Sequence, residues 1–154
     1  MNEDQLKIFI SVIRQYFEKV TGSRIEVGVP FLKDESSNVL LAYTGVIGIS
    51  GKMKGAIYIT ANEDLIAGLI NYIAPKKNPA QEDLSSMIGE LANTIAGNAQ
   101  KTLGPEFHIS TPIIFTKDNS VASSSIIIKA PTFIFPLKWE EREAFLAVGL
   151  LSGG

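Results

Sequence analysis

Apolar residues recur at three- and four-residue steps from the start of the chain: Leu6, Phe9, Ile10, Ile13, Phe17 and Val20. That period lays them on one stripe of an amphipathic helix over residues 4–20. Thr21-Gly22-Ser23-Arg24 ends it, with Gly22 suited to the position after the last turn. Residues 25–29 alternate and predict a short strand closed by Pro30, followed by a polar loop over 33–38. Two β-branched and aromatic runs, 39–49 and 52–60, flank Ser50-Gly51 and predict a hairpin. Gly45, Gly48, Gly51 and Gly55 lie in this hairpin and point to bulges and close helix packing on the sheet. A second helix is predicted over 61–74, capped by Asn62, with Glu63 and Asp64 at its positive end. Leu65, Ile66, Leu69, Ile70 and Ile73 form its buried face. Residues 75–79, Pro-Lys-Lys-Asn-Pro, break the pattern, and a long helix runs over 81–103 to Gly104-Pro105.

Strand patterns fill the rest. Residues 108–116 form one strand in which Pro112 marks an edge or a bulge. A loop at 118–124 leads into a strand over 125–139, interrupted by Pro131 and Pro136. Residues 143–151 pair back on it after Glu140-Glu141-Arg142, and the last three residues fray. Helix, strand, hairpin, two helices and then antiparallel strands make an α+β fold. It is a mainly antiparallel, twisted sheet with helices packed on one face. The 154 residues fit a single domain spanning 1–154.

Composition narrows the chemistry by exclusion. The net charge of −2 and pI near 5.4 provide no basic excess for nucleic acid or an anionic membrane. With no cysteine, disulfides, thiol nucleophiles and thiolate metal sites are excluded. The only histidine, His108, reads as a surface or strand-edge residue with no carboxylates at ligand spacing, so no metal site is expected. The N-terminus is acidic and amphipathic, unlike a signal peptide, and no run is long enough to span a membrane. The expected location is the cytoplasm.

The long helix carries the one unexplained pattern. With Ser86 at zero, a turn of about 100° per residue puts Glu90 near 40°, Asn93 near −20° and Gly97 near 20°. Met87, Ile88, Leu91, Ala92, Ile95 and Ala99 face the other way. The polar line is therefore the surface farthest from the core, yet it is poor in good helix formers. Gly89 and Gly97 each cost about 1 kcal/mol relative to alanine in a helix interior. A bare glycine on an outward face lets another macromolecule approach the backbone. Spacing alone is weak evidence, since Glu35-Ser36-Ser37-Asn38 repeats the Glu-x-x-Asn interval in a polar loop.

Residues 85–104 followed by 108–115 resemble the CheC/CheX family of chemotaxis phosphatases. The family motif is Asp or Ser, three residues, Glu, two residues, Asn, and a proline about twenty residues on; here these are Ser86, Glu90, Asn93 and Pro112. The glycine-bearing hairpin upstream is also similar, and the likeness covers about residues 45–117. The motif occurs once, which favours the CheX side. The resemblance implies a protein that binds a phosphorylated CheY-type response regulator and hydrolyses its aspartyl phosphate. It implies that Asn93 orients the attacking water and Glu90 pairs with the regulator's lysine, with Ser86, Gly97 and Pro112 contacting the partner. It implies no cofactor in this chain, the regulator supplying Mg²⁺. It also implies a homodimer. The apolar last hairpin is consistent with one, because Phe133, Phe135 and Trp139 need cover. Thr94, Gln100 and Lys101 are candidate rim residues. The alternative is a non-catalytic interaction module of the chemotaxis or flagellar switch apparatus. A small-molecule sensor has no placed polar groups to support it.

Overall fold

The sheet is antiparallel throughout, two hairpins joined edge to edge with short strands added at either margin. The structure, a computed structural model, describes residues 1–34, 39–75, 78–117 and 130–152. The elements are α1 (Glu3–Thr21), β1 (Glu26–Val27), β2 (Phe31–Leu32), β3 (Tyr43–Gly51) and β4 (Met53–Ala61). There follow α2 (Glu63–Ile73), α3 (Gln81–Leu103), β5 (Phe107–Ile109), β6 (Ile113–Thr116), β7 (Thr132–Trp139) and β8 (Arg142–Ser152). The strand order is β1-β7-β8-β4-β3-β5, every pair antiparallel. Two edge positions are shared: β2 follows β1 along β7, and β6 follows β5 along β3.

Alternation along the strands sends one set of side chains to the helices. Ile47 and Ile49, Ile57 and Ile59, Leu146 and Val148, and Phe135 and Trp139 share one core with the buried faces of all three helices. Local signals start α1: Asn2 accepts from the Gln5 amide at 2.9 Å, and Gln5 accepts from the Asn2 amide at 3.0 Å. Gly22 ends α1 at φ 73°, in the left-handed region glycine tolerates. The seat of α3 is set by Gly45. A Cβ there would lie 2.8 Å from the Ile88 carbonyl oxygen and 3.1 Å from Ala92 Cβ, so α3 rests directly on the β3 backbone.

Several expectations need correction. The strand predicted over 108–116 is broken into β5 and β6, with Pro112 in the interruption. Gly48 and Ser110 hold that break together: the Ser110 amide donates to the Gly48 carbonyl, and Ser110 Oγ accepts from the Gly48 amide at 2.8 Å. The first hairpin arm begins at Tyr43 rather than Val39; Val39 and Leu40 pack instead on the opposite sheet face, against Tyr58, Ile134 and Ala147. Asn62 stands at the start of α2 without capping it, because its Oδ1 accepts from the Ala42 amide. Ile73 is 45% exposed: it is the last residue of α2, and burial of that face stops at Ile70. Phe135 and Trp139 are fully buried within the chain, Trp139 lying against Phe17 and Tyr72. Their apolarity is met internally, so the hint of a second copy does not come from them. The Glu35–Asn38 repeat, the 118–124 loop and the first part of the 125–139 strand lie outside the described residues.

Candidate functional site

The α3 surface opposite the sheet carries Ser86, Glu90 and Asn93, all exposed, while Met87, Ile88, Leu91, Ala92, Ile95 and Ala99 are buried beneath it. Glu90 and Asn93 sit one turn apart, about 4.5 Å along the axis. Neither side chain makes a hydrogen bond or ion pair with any described residue. Gly97 continues the line, and apart from its own stretch of helix backbone no heavy atom lies within 4 Å of where its Cβ would be. The predicted line is therefore brought together on one open ridge.

Two walls flank the ridge. On one side Gly89 is buried, and a Cβ there would meet Ile114 Cδ1 at 2.8 Å and Pro112 Cγ at 3.8 Å. Gly89 is thus a packing glycine that lets β6 close on α3, whereas a Cβ at Gly97 meets no such neighbour. This contact sets Pro112 beside the residue that precedes Glu90. Farther along, Gln100 Nε2 donates to the Phe107 carbonyl at 2.7 Å, so Gln100 ties α3 to β5. His108 is exposed on β5. No group of three or more His, Asp or Glu side chains able to hold a metal ion occurs among the described residues.

On the other side is α1. Tyr16 is buried there, edge-on to Phe17 at 5.4 Å. Burial pushes the Tyr16 phenol up to about 12, and the nearby Glu90 carboxylate adds to the rise. Tyr16 thus stands next to the ridge, a relation the sequence period could not give. Its spacing of three from Ile13 marks it as core, but not against what.

The arrangement has defined chemical capacity. A free amide can accept from one group and donate to another at once. A free carboxylate one turn away can pair with a cation. Neither is a nucleophile activated by a neighbouring base, so the ridge suits positioning rather than covalent catalysis.

The family described as "Chemotaxis phosphatase CheX" matches residues 43–130, more than half of the chain. No curated protein sequence matches. Solved structures agree in fold. A CheC-like superfamily protein from Shewanella sp. PV-4 is 26% identical, with a TM-score of 0.84 over 99% of this chain and 100% of that one. The chemotaxis protein CheX from Vibrio vulnificus is 19% identical, with a TM-score of 0.81 over 96% of this chain and 99% of its own. The CheX–CheY–BeF3–Mg²⁺ complex from Borrelia burgdorferi contributes a chain 19% identical, with a TM-score of 0.74 over 97% of this chain and 99% of that one. The chain belongs to the CheX family, and its α+β architecture is that of CheC/CheX proteins.

Proposed function

We propose that this CheX-family protein hydrolyses the aspartyl phosphate of a CheY-type response regulator. The observation that carries the reading is the free pair Glu90 and Asn93 on an outward ridge that continues into bare Gly97. The family assignment and the CheY-bound relative from Borrelia burgdorferi support it.

The residue types fit what such a partner lacks. An acyl phosphate is already activated, so its hydrolysis needs an in-line water more than a new nucleophile. The Asn93 carboxamide oxygen would accept from that water while its NH₂ donates to a phosphoryl oxygen. A carboxylate at 93 would repel the phosphoryl group. Glu90 belongs one turn away, where its charge pairs with the partner's lysine and fixes the pose. Mg²⁺ bound by the regulator would neutralise phosphoryl charge. Gly97 gives the partner's surface room, and Ser86 and Pro112 border the contact. Orienting one water in this way contributes on the order of 10²-fold over the regulator's own hydrolysis.

The test is turnover. This protein, at a small fraction of the concentration of a phosphorylated CheY-type regulator with Mg²⁺, should release phosphate from the whole pool faster than the regulator does alone. Binding with no change in that rate would assign the ridge to a non-catalytic docking role.

A further inference from the structure

Beside the ridge runs a groove of about 750 Å³ between α1 and α3, with Ile8, Val12 and Val20 along its α1 wall. The helices flanking it are antiparallel. The start of α1 lies at the β3–β4 tip, where Gln5 Nε2 donates to Met53 Sδ. The end of α3 leads to the same tip, where the Lys52 amide donates to the Glu106 carbonyl. Tyr16 and Lys19 therefore lie toward the Glu90 end, and Lys101 toward the far end.

Groove and ridge are one continuous surface. Thr94 and Asn98 line the groove and directly follow Asn93 and Gly97 in the chain. Lys101 belongs to both: it lines the groove and falls near 60° on the helical wheel, in line with Glu90. The groove's charge is also one-sided. Among the described residues that line it, Asp4 is the only carboxylate, and Lys7 is engaged by Glu3 at 3.5 Å. Lys19 and Lys101 form no ion pair among the described residues.

A protein docked with its phosphorylated side chain at Asn93 covers far more than one ridge. A stable interface takes about 800 Å² from each partner, whereas a helix is only about 10 Å wide. We infer that the α1–α3 groove is a second contact for the same response regulator, holding an acidic segment of its surface between Lys19 and Lys101. This rests on the proposed function, and it names the part of the partner that sets recognition rather than chemistry. Charges at an interface rim act chiefly on encounter and on salt dependence, not on the chemical step.

The experiment is steady-state phosphate release from the phosphorylated regulator, comparing wild type with Lys19→Glu/Lys101→Glu at two salt concentrations. Reversing both charges should raise KM about tenfold with kcat within about twofold, and should flatten the rise of KM with salt. Lys19→Gln/Lys101→Gln should give about a threefold rise, separating lost attraction from new repulsion. Both lysines are exposed, and emission from buried Trp139 verifies folding of each variant. Unchanged KM and salt dependence in the reversed variant would overturn the inference. So would unchanged KM with altered self-association, which would give the groove to a second copy. Binding to the beryllofluoride-loaded regulator separates the two readings. If wild type binds without accelerating hydrolysis, the catalytic reading fails, while weaker binding by the reversed variant still supports the groove.

Discussion

Gly97 offers a test in which stability and function move in opposite directions. It lies in the interior of α3, where glycine costs about 1 kcal/mol relative to alanine. Its Cβ would meet nothing within 4 Å, so Gly97→Ala gains the helix term with no packing cost. For a chain of this length that gain raises Tm by about 2–4 °C. Gly97→Gln should keep most of the gain, because glutamine is also a good helix former. On the proposed function, the longer side chain would then stand where the regulator's surface approaches. Thermal melting followed by Trp139 fluorescence reads the first effect. Phosphate release from the phosphorylated regulator reads the second. The expected result is a higher Tm for both variants, a modest loss of kcat/KM for alanine, and a loss of about tenfold or more for glutamine, on the scale of misplaced reacting groups. A fully active Gly97→Gln protein would refute the reasoning that the bare backbone is there for a partner. A lower Tm for Gly97→Ala would show that the glycine is structural after all.

Gly45→Ala, the same change on β3, should have the opposite sign: its Cβ meets the Ile88 backbone oxygen at 2.8 Å, so α3 must shift, at a cost of about 1–3 kcal/mol measured by urea unfolding. The β7–β8 turn holds Glu140 and Glu141 at φ 48° and 64°, so replacing them with Asn-Gly should raise stability by about 1 kcal/mol in the same assay. The Lys138–Glu141 pair lost in that change is exposed and worth little. Tyr16 and Tyr58 are both raised from 10.0 to about 12, chiefly by burial. The unfolded chain therefore ionises first, so this contribution is complete below pH 10 and is lost between pH 10 and 12. Urea midpoints should fall over that window, and less steeply in Tyr58→Phe.

What the sequence made legible was local. The 3.6-residue period fixed which side of α3 faces outward, because helical phase depends only on spacing. Ser86, Glu90, Asn93 and Gly97 therefore lie on the ridge where the period put them. Gly22 and Gly51 likewise hold the positive φ that their turns require. What stayed hidden depends on contacts distant in sequence. The place of Pro112 follows from the register of β6 on β3 and from the approach of Ile114 to Gly89. The groove and the nearness of Tyr16 to Glu90 follow from how α1 crosses α3; periodicity gives a buried face but not its neighbour. Asn62 and the 108–116 break show tertiary hydrogen bonds overriding local capping and strand patterns. The two-residue strand β2 carries too few positions for any pattern.

The most direct test of the central claim is Asn93→Ala, assayed for phosphate release and for binding to the beryllofluoride-loaded regulator. Asn93 is exposed and has no partner among the described residues, so its loss should leave the fold and most of the binding intact. The account predicts that wild type accelerates hydrolysis, while the variant binds and falls to the regulator's own rate, a loss on the order of 10²-fold. A variant that hydrolyses as fast as wild type would contradict the claim that Asn93 orients the water.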